Sequence, residues 1–369
     1  MKKQKKLLRI LAYGAAMLAA GFAAGFGIAW LAGPVQGAAG LLWILVAMVP
    51  AAAVQTIVHE AGHLVGGLTT GYRFCSFRVG SWMVQAEQGR LRLRRLSLAG
   101  TGGQCLLAPP ELREGRIPYV WYNLGGVLGN LLLAVLALLA LWRAELPWPV
   151  RMLLALTAGI GLLFAVLNGL PMQIGGIDND GANLLALRRD PEAQRALWAQ
   201  LKIVEAQSQG LRLKQMPEAW FLLPPGAERR TGLAAAVVML QASRSMDQHR
   251  FAEAAGRMDR LLAKGSKVEG IQRRMLWCDR VCCALLTGRE PEILAQWETA
   301  EQKQFRRQMK SCLPVLRTEY AYALLVLGDR QQAQRLQADF ERAARRWPYP
   351  GDCASEAELL ALARQAAGC

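Results

Sequence analysis

Residues 38–64, AAGLLWILVAMVPAAAVQTIVHEAGHL, run from Ala38 to Val58 without a formal charge and then set Glu60 between two histidines. Between Arg9 and Arg73, Glu60 is the only formally charged residue; none occurs between Arg116 and Arg143 or between Arg151 and Asp178. A membrane-crossing helix needs roughly 20 mostly apolar residues. The first gap therefore holds two such helices, divided at Gly33-Pro34-Val35-Gln36-Gly37, and each of the others holds one. The spans are expected at about 11–32, 38–60, 120–141 and 152–170. A mean hydropathy of +0.16 over 369 residues excludes a disordered chain and a purely soluble basic one.

Lys2, Lys3, Lys5, Lys6 and Arg9 precede the first span with no acidic residue to offset them, so the N-terminus is expected in the cytoplasm. Four crossings then return residues 69–118, with eight Arg against three Glu, and the C-terminal part to the same side. The first apolar run is about twice an ordinary signal-peptide core, so it reads as a retained span. Positive-inside topology accounts for 5 of the net charge of +16 at the N-terminus and 5 in residues 69–118. Residues 181–369 mix 29 basic with 21 acidic residues, an ordinary solvated surface, so no nucleic-acid partner is expected. The expected location is the cell membrane, multi-pass, with both termini cytoplasmic; all 8 Cys then lie on the reducing side, where disulfides are not expected.

His59 and His63 stand one helical turn apart on one face, so both imidazoles can reach one metal ion, with Glu60 beside them to act as a base. Two of the chain's 3 histidines fall at this spacing around a glutamate. An ionisable residue inside a membrane helix marks a functional site by default. Catalytic zinc takes three protein ligands and keeps one position for water. The fourth span leads, at matching depth, to Asn168-Gly-Leu-Pro171-Met-Gln-Ile-Gly-Gly-Ile-Asp178-Asn-Asp180-Gly181, which offers Asp178 and Asp180.

Residues 40–187 resemble the site-2 protease family of intramembrane zinc metalloproteases. His59-Glu60-Ala61-Gly62-His63 is similar to that family's zinc helix, Gly126-Val127-Leu128-Gly129-Asn130 to its Gly-Pro-x-x-Asn element, and Asn168-x-x-Pro171 with Asp180-Gly181 to its Asn-x-x-Pro…Asp-Gly element. Val127 stands in place of the usual proline, and the interval from Pro171 to the Asp-Gly pair is about four residues longer than the common form. The resemblance implies Zn²⁺ held by His59, His63 and Asp180, with Asp178 as the runner-up, and Glu60 as the base. It further implies that Asn130 and Asn168 bind substrate or stabilise the oxyanion. The substrate would be a membrane protein or peptide cut near the cytosolic face. Tyr72–Val79 and the alternating Arg90-Leu-Arg92-Leu-Arg94 make a small cytosolic β-hairpin plausible; in the resembling family such a hairpin receives substrate as an added strand. The other reading is a non-proteolytic membrane receptor or scaffold that keeps zinc structurally and gathers partners with its tail.

Beyond Leu187 the chain turns Arg-, Gln-, Ala- and Leu-rich with helical periodicity. Turn marks at Met246-Asp247, Gly288-Arg289 and Gly328-Asp329 each precede an amphipathic stretch (Phe251–Leu262, Ile293–Phe305, Ala333–Ala344). That period of about 40 suggests tetratricopeptide-like helical hairpins able to bind a protein partner. Cys278, Cys282, Cys283 and Cys312 lack an accompanying histidine and read as buried helix cysteines, and Gly100-Thr-Gly-Gly103 as a flexible connector. The expected architecture is an all-α, multi-pass transmembrane bundle of four spans with a small β-hairpin, followed by a soluble helical-repeat domain. Its parts are an N-terminal helix in 1–37, a metalloprotease-like core in 38–187 and the repeat domain in 188–369.

Overall fold

The computed structural model describes residues 37–368 apart from 88, 97–101, 175, 176 and 289, together with residues 21, 25, 27, 28, 30, 33 and 35. Among the described residues, three helices are long and apolar enough to cross a membrane: α1 (Gly37–Leu68), α2 (Val120–Arg143) and α3 (Trp148–Gly169). Most of the span expected at 11–32 lies outside the described residues. Helix α1 runs eight residues past the expected end, so the metal-binding pattern lies within a helix rather than at its tip.

By its contacts the chain divides into two compact units, residues Met1–Thr70, Pro118–Met172 and Asn179–Leu184 forming the first. Its packing follows from glycine. A Cβ on Gly62 would stand 2.1 Å from the Gly125 carbonyl oxygen, and one on Gly125 would stand 2.1 Å from that of Gly62. One turn along, Gly66 meets the Trp121 carbonyl and Gly129 that of Val58. Gly62-x-x-x-Gly66 and Gly125-x-x-x-Gly129 are thus small-residue faces that let two backbones touch, which is how helices associate where lipid removes the hydrophobic drive. Polar atoms pin the third helix: Gln55 Nε2 of α1 donates to the Thr157 carbonyl of α3 at 2.7 Å, and Gly161 leaves the space that Gln55 fills. Leu42, Leu45, Val49, Leu132 and Leu136 remain exposed, as residues facing hydrocarbon should.

The second unit holds Gly71–Ile117, Gln173–Asp178 and Leu185–Cys369. In place of the expected hairpin stands a four-stranded antiparallel sheet, β1 (Arg73–Val79), β2 (Trp82–Glu87), β3 (Arg90–Arg95) and β4 (Gly103–Ala108), in the order β3-β2-β1-β4. The two segments expected to pair are separated by β2, and Gly103, expected in a connector, opens β4. Neither β2 nor β4 shows the strict polar–apolar alternation of β3, because both lie further inside: Met83, Gln85, Cys105 and Leu107 are buried. A two-residue hairpin, β5 (Gln173–Ile174) with β6 (Ile177–Asp178), follows α3 in sequence.

The remainder is helical: α4 (Asp180–Arg189), α5 (Pro191–Ser208), α6 (Gly232–Asp247), α7 (Phe251–Leu262), α8 (Gly270–Thr287), α9 (Pro291–Trp297), α10 (Ala300–Gln308), α11 (Leu313–Tyr322), α12 (Arg330–Ala344) and α13 (Pro350–Ala366). Antiparallel neighbours α6/α7 and α11/α12 meet at two of the expected turn marks. The stretch Ile293–Phe305 is two helices, because Thr299 caps α10 with its side chain and ends the first at Trp297. Cys278, Cys282, Cys283 and Cys312 are free and buried in the helical core.

Candidate metal centre

Helix α1 aims His59 and His63 to the same side, with ring centroids 4.7 Å apart. Gly126 of α2 leaves room for the pair, since a Cβ there would lie 2.5 Å from His59 Cε1 and 2.6 Å from His63 Nε2. Asp180, the first residue of α4, completes a triangle: His59 Nε2 to His63 Nε2 3.1 Å, His59 Nε2 to Asp180 Oδ2 3.2 Å, and His63 Nε2 to Asp180 Oδ2 3.4 Å.

Asp180 is held by its neighbours. Asn179 Nδ2 donates to the Leu167 and Leu170 carbonyls at 2.6 Å each, and its Oδ1 accepts from the Met172 and Ala182 amides. One buried amide thus ties the end of α3 to the start of α4. Gly181 is required next, because a Cβ there would stand 2.2 Å from the Gly169 carbonyl oxygen. Asp178 is elsewhere: it lies in β6 and accepts from Gln173 Nε2 at 2.8 Å.

The outer nitrogens of both rings are committed, and that fixes where their protons sit. His63 Nδ1 lies 2.6 Å from the Tyr122 carbonyl, which can only accept, so this nitrogen carries the hydrogen. For His59 a longer chain gives the same answer. The Thr157 carbonyl takes a hydrogen from Gln55 Nε2, which orients the Gln55 amide. Gln55 Oε1 and the Gln55 carbonyl then receive both hydrogens of Asn130 Nδ2, at 2.7 and 2.8 Å. Asn130 Oδ1 is left to accept from His59 Nδ1 at 2.8 Å. Both Gln55 and Asn130 are fully buried, so water does not compete for these bonds.

In the neutral rings both Nε2 atoms then present lone pairs, and they face each other and a carboxylate oxygen that is sealed from solvent. With neutral rings, three acceptors converge with no donor among them. A single proton satisfies one edge of such a triangle, whereas a cation at its centre satisfies all three. Ligand bonds of about 2.0–2.1 Å in tetrahedral geometry place ligand atoms about 3.3–3.4 Å apart, close to the three observed separations. His59, His63 and Asp180 fit a metal ion in donor type, spacing and unsatisfied charge, and can hold one.

Glu60 is buried on the same turn of α1. Asn168 is turned back onto its own helix, donating to the Phe164 carbonyl at 3.0 Å, and Asn130 is occupied as the partner of His59. Of the residues expected to form the site, the structure joins His59, His63, Asp180 and Asn130. Reasoning from sequence passed over Gln55, although an amide four residues before His59 in an otherwise apolar run is a signal of the kind that polar residues in membrane helices give. Tyr122 and Thr157 take part through backbone carbonyls, which no sequence pattern reports. Comparison with protein-family models, with curated proteins and with solved structures finds nothing that matches this chain.

Proposed function

We propose that this chain is an intramembrane zinc metalloendopeptidase of the site-2 protease type, cutting a membrane-protein or peptide substrate near the cytosolic face. The observation that carries the reading is the triangle of His59 Nε2, His63 Nε2 and Asp180 Oδ2, with Glu60 on the same helical turn. Two imidazoles, one carboxylate and a position left for water make a donor set that suits catalytic zinc. When bound, zinc supplies a Lewis acid for the scissile carbonyl and lowers the pKa of a water to about 7. Glu60 takes the proton from that water and passes it to the leaving amine. Gln55 and Asn130 keep His59 in the tautomer whose Nε2 is free; Asn130 serves as a positioning residue rather than a substrate contact.

Topology follows from the basic flanks: the N-terminus, residues 69–118 and the C-terminal helices lie on the cytosolic side, where water reaches the centre. The protein partner of the helical tail belongs to the same side. Glu60→Gln tests the reading in the full chain reconstituted in lipid with a transmembrane substrate. Hydrolysis should fall by about 10²–10⁴-fold while zinc content stays the same; undiminished hydrolysis removes Glu60 as the base.

A further inference from the structure

The C-terminal helices line a cavity of about 350 Å³, within the range of small-molecule and side-chain pockets. Helices α5, α6, α8, α11 and α13 contribute to it. Its apolar wall is mainly Met239, Leu240, Met246, Met275 and Leu313, and its polar wall is Asp279, Asp352 and Glu356 with Arg317. Arg317 is 1 % exposed and bridges two of the carboxylates, with Nη2 to Asp279 Oδ1 at 2.7 Å and Nη1 to Glu356 Oε2 at 3.1 Å. Among the described residues no cation pairs with Asp352: Oδ1 accepts from Gln207 Nε2 at 2.8 Å and Oδ2 from Trp347 Nε1 at 3.4 Å. Three carboxylates thus line this space beside one guanidinium, which pairs with only two of them, in a chain whose net charge is +16.

Asp247, next to the cavity, shows what a satisfied buried carboxylate looks like in this fold. It is paired with Arg212 and accepts from the Lys214 amide at 2.9 Å and from Ser355 Oγ at 2.7 Å. Buried charges are tolerated when paired, and the cavity is short of positive charge by comparison. Burial pushes the Asp352 carboxyl up to about 6, against the pull of its two neutral donors, so near neutral pH an added cation has a carboxylate to meet.

We propose that this cavity binds an alkylammonium group on an apolar stem, the chemistry of a lysine side chain, with the ammonium between Asp352 and Glu356 and the methylenes against the methionines. Polarizable, unbranched methionines adapt to a flexible stem. The inference is independent of the peptidase reading, because none of these residues belongs to the membrane unit.

The test is calorimetric titration of the full chain in detergent with three probes: 1,5-diaminopentane as a free amine, Nα-acetyl-lysine methylamide as a peptide-borne one, and the neutral Nα-acetyl-norleucine methylamide, which keeps the four-carbon stem and lacks the ammonium. At least one ammonium probe should bind about tenfold or more tighter than norleucine, and which of the two does so tells a free amine from a presented side chain. Asp352→Asn, and separately Glu356→Gln, should each weaken that binding about tenfold while far-ultraviolet circular dichroism stays the same. If one variant fails to fold, the other carries the test. Equal binding of the neutral probe, no binding of either amine up to about 10 mM, or binding indifferent to a well-folded variant overturns the proposal.

Discussion

Both compact units bury polar atoms among apolar helices, and they do it in opposite ways. In the membrane unit the buried network is built from the Thr157 carbonyl, Gln55, Asn130 and two imidazoles, and the hydrogens that its bonds fix point away from one spot. In the helical tail the network is built from ions, and the shortage is of charge rather than of hydrogens: Asp279 and Glu356 share Arg317, while Asp352 has only amide and indole donors. The difference follows from surroundings. Charges in hydrocarbon are expensive and neutral amides less so, so directing lone pairs by amides is the cheaper way to prepare a cation site inside a membrane. A domain surrounded by water can build its site from carboxylates and hold them with an arginine.

The contrast is broken most severely at the triangle itself. Asp180→Ala should abolish tight zinc binding, a loss of about 10³-fold or more in affinity by competition with a chelator, whereas Asp178→Ala should leave zinc content where it was. Equal losses from the two substitutions would mean that the third ligand is wrongly placed.

Next in size is the glycine contact. Gly62→Ala puts a methyl group 2.1 Å from the Gly125 carbonyl oxygen, where backbone rather than a flexible side chain must yield. Thermal unfolding in detergent should show a loss of about 3 kcal/mol. Gly256→Ala, in an open position of α7 with nothing within 4 Å, should show none.

The orienting chain predicts a subtler effect. Gln55→Leu keeps the volume but removes the group that orients Asn130, so zinc affinity should drop about 10–100-fold. The ¹⁵N shifts of His59 should then report a mixture of tautomers, with those of His63 unmoved. Lost affinity with an unaltered His59 tautomer would show that Gln55 acts only through packing.

The smallest effect separates the two networks by pH. The folded-state value of Asp352, about 6, lies above its ordinary 3.8, so folding favours the protonated carboxyl. Its contribution is neutral below about pH 4 and becomes a penalty as pH rises through 6. Facing it are Gln207, Trp347, Asp247, Glu356, Asp279 and Arg317. Without ligand, Asp352→Asn should therefore be more stable than the parent at pH 8, by on the order of 2 kcal/mol, and equal to it near pH 3.5. A variant less stable at pH 8 would show the carboxylate to be compensated already.

Runs of uncharged residues and the spacing of two histidines around Glu60 are properties of a linear chain, and they were enough to locate three apolar helices and two of the triangle's three corners. Choosing between Asp178 and Asp180 was a different problem. Both are carboxylates at nearly the same place in the sequence, and Asp180 is delivered to the histidines by Asn179 clamping the end of α3 and by Gly181 lying against the Gly169 carbonyl. The sheet was half legible: the edge strand β3 alternates, while β2 and the opposite edge β4 bury more of their residues and blur the period.

What the amino-acid sequence determined by itself was therefore local: which segments are apolar enough for lipid, where helices start, and that two imidazoles share a helical face. Those properties depend on composition and on a repeat of 3.6 residues, both of which survive without knowledge of neighbours. The tertiary structure alone decided how Asp180, the carboxylate the resemblance favoured, is carried to the histidines, which outer ring nitrogens keep their hydrogens, and that Asn130 holds an imidazole. Each of these depends on backbone carbonyls and amides brought together from residues as far apart as Gln55 and Thr157, and a backbone carbonyl carries no sequence signature.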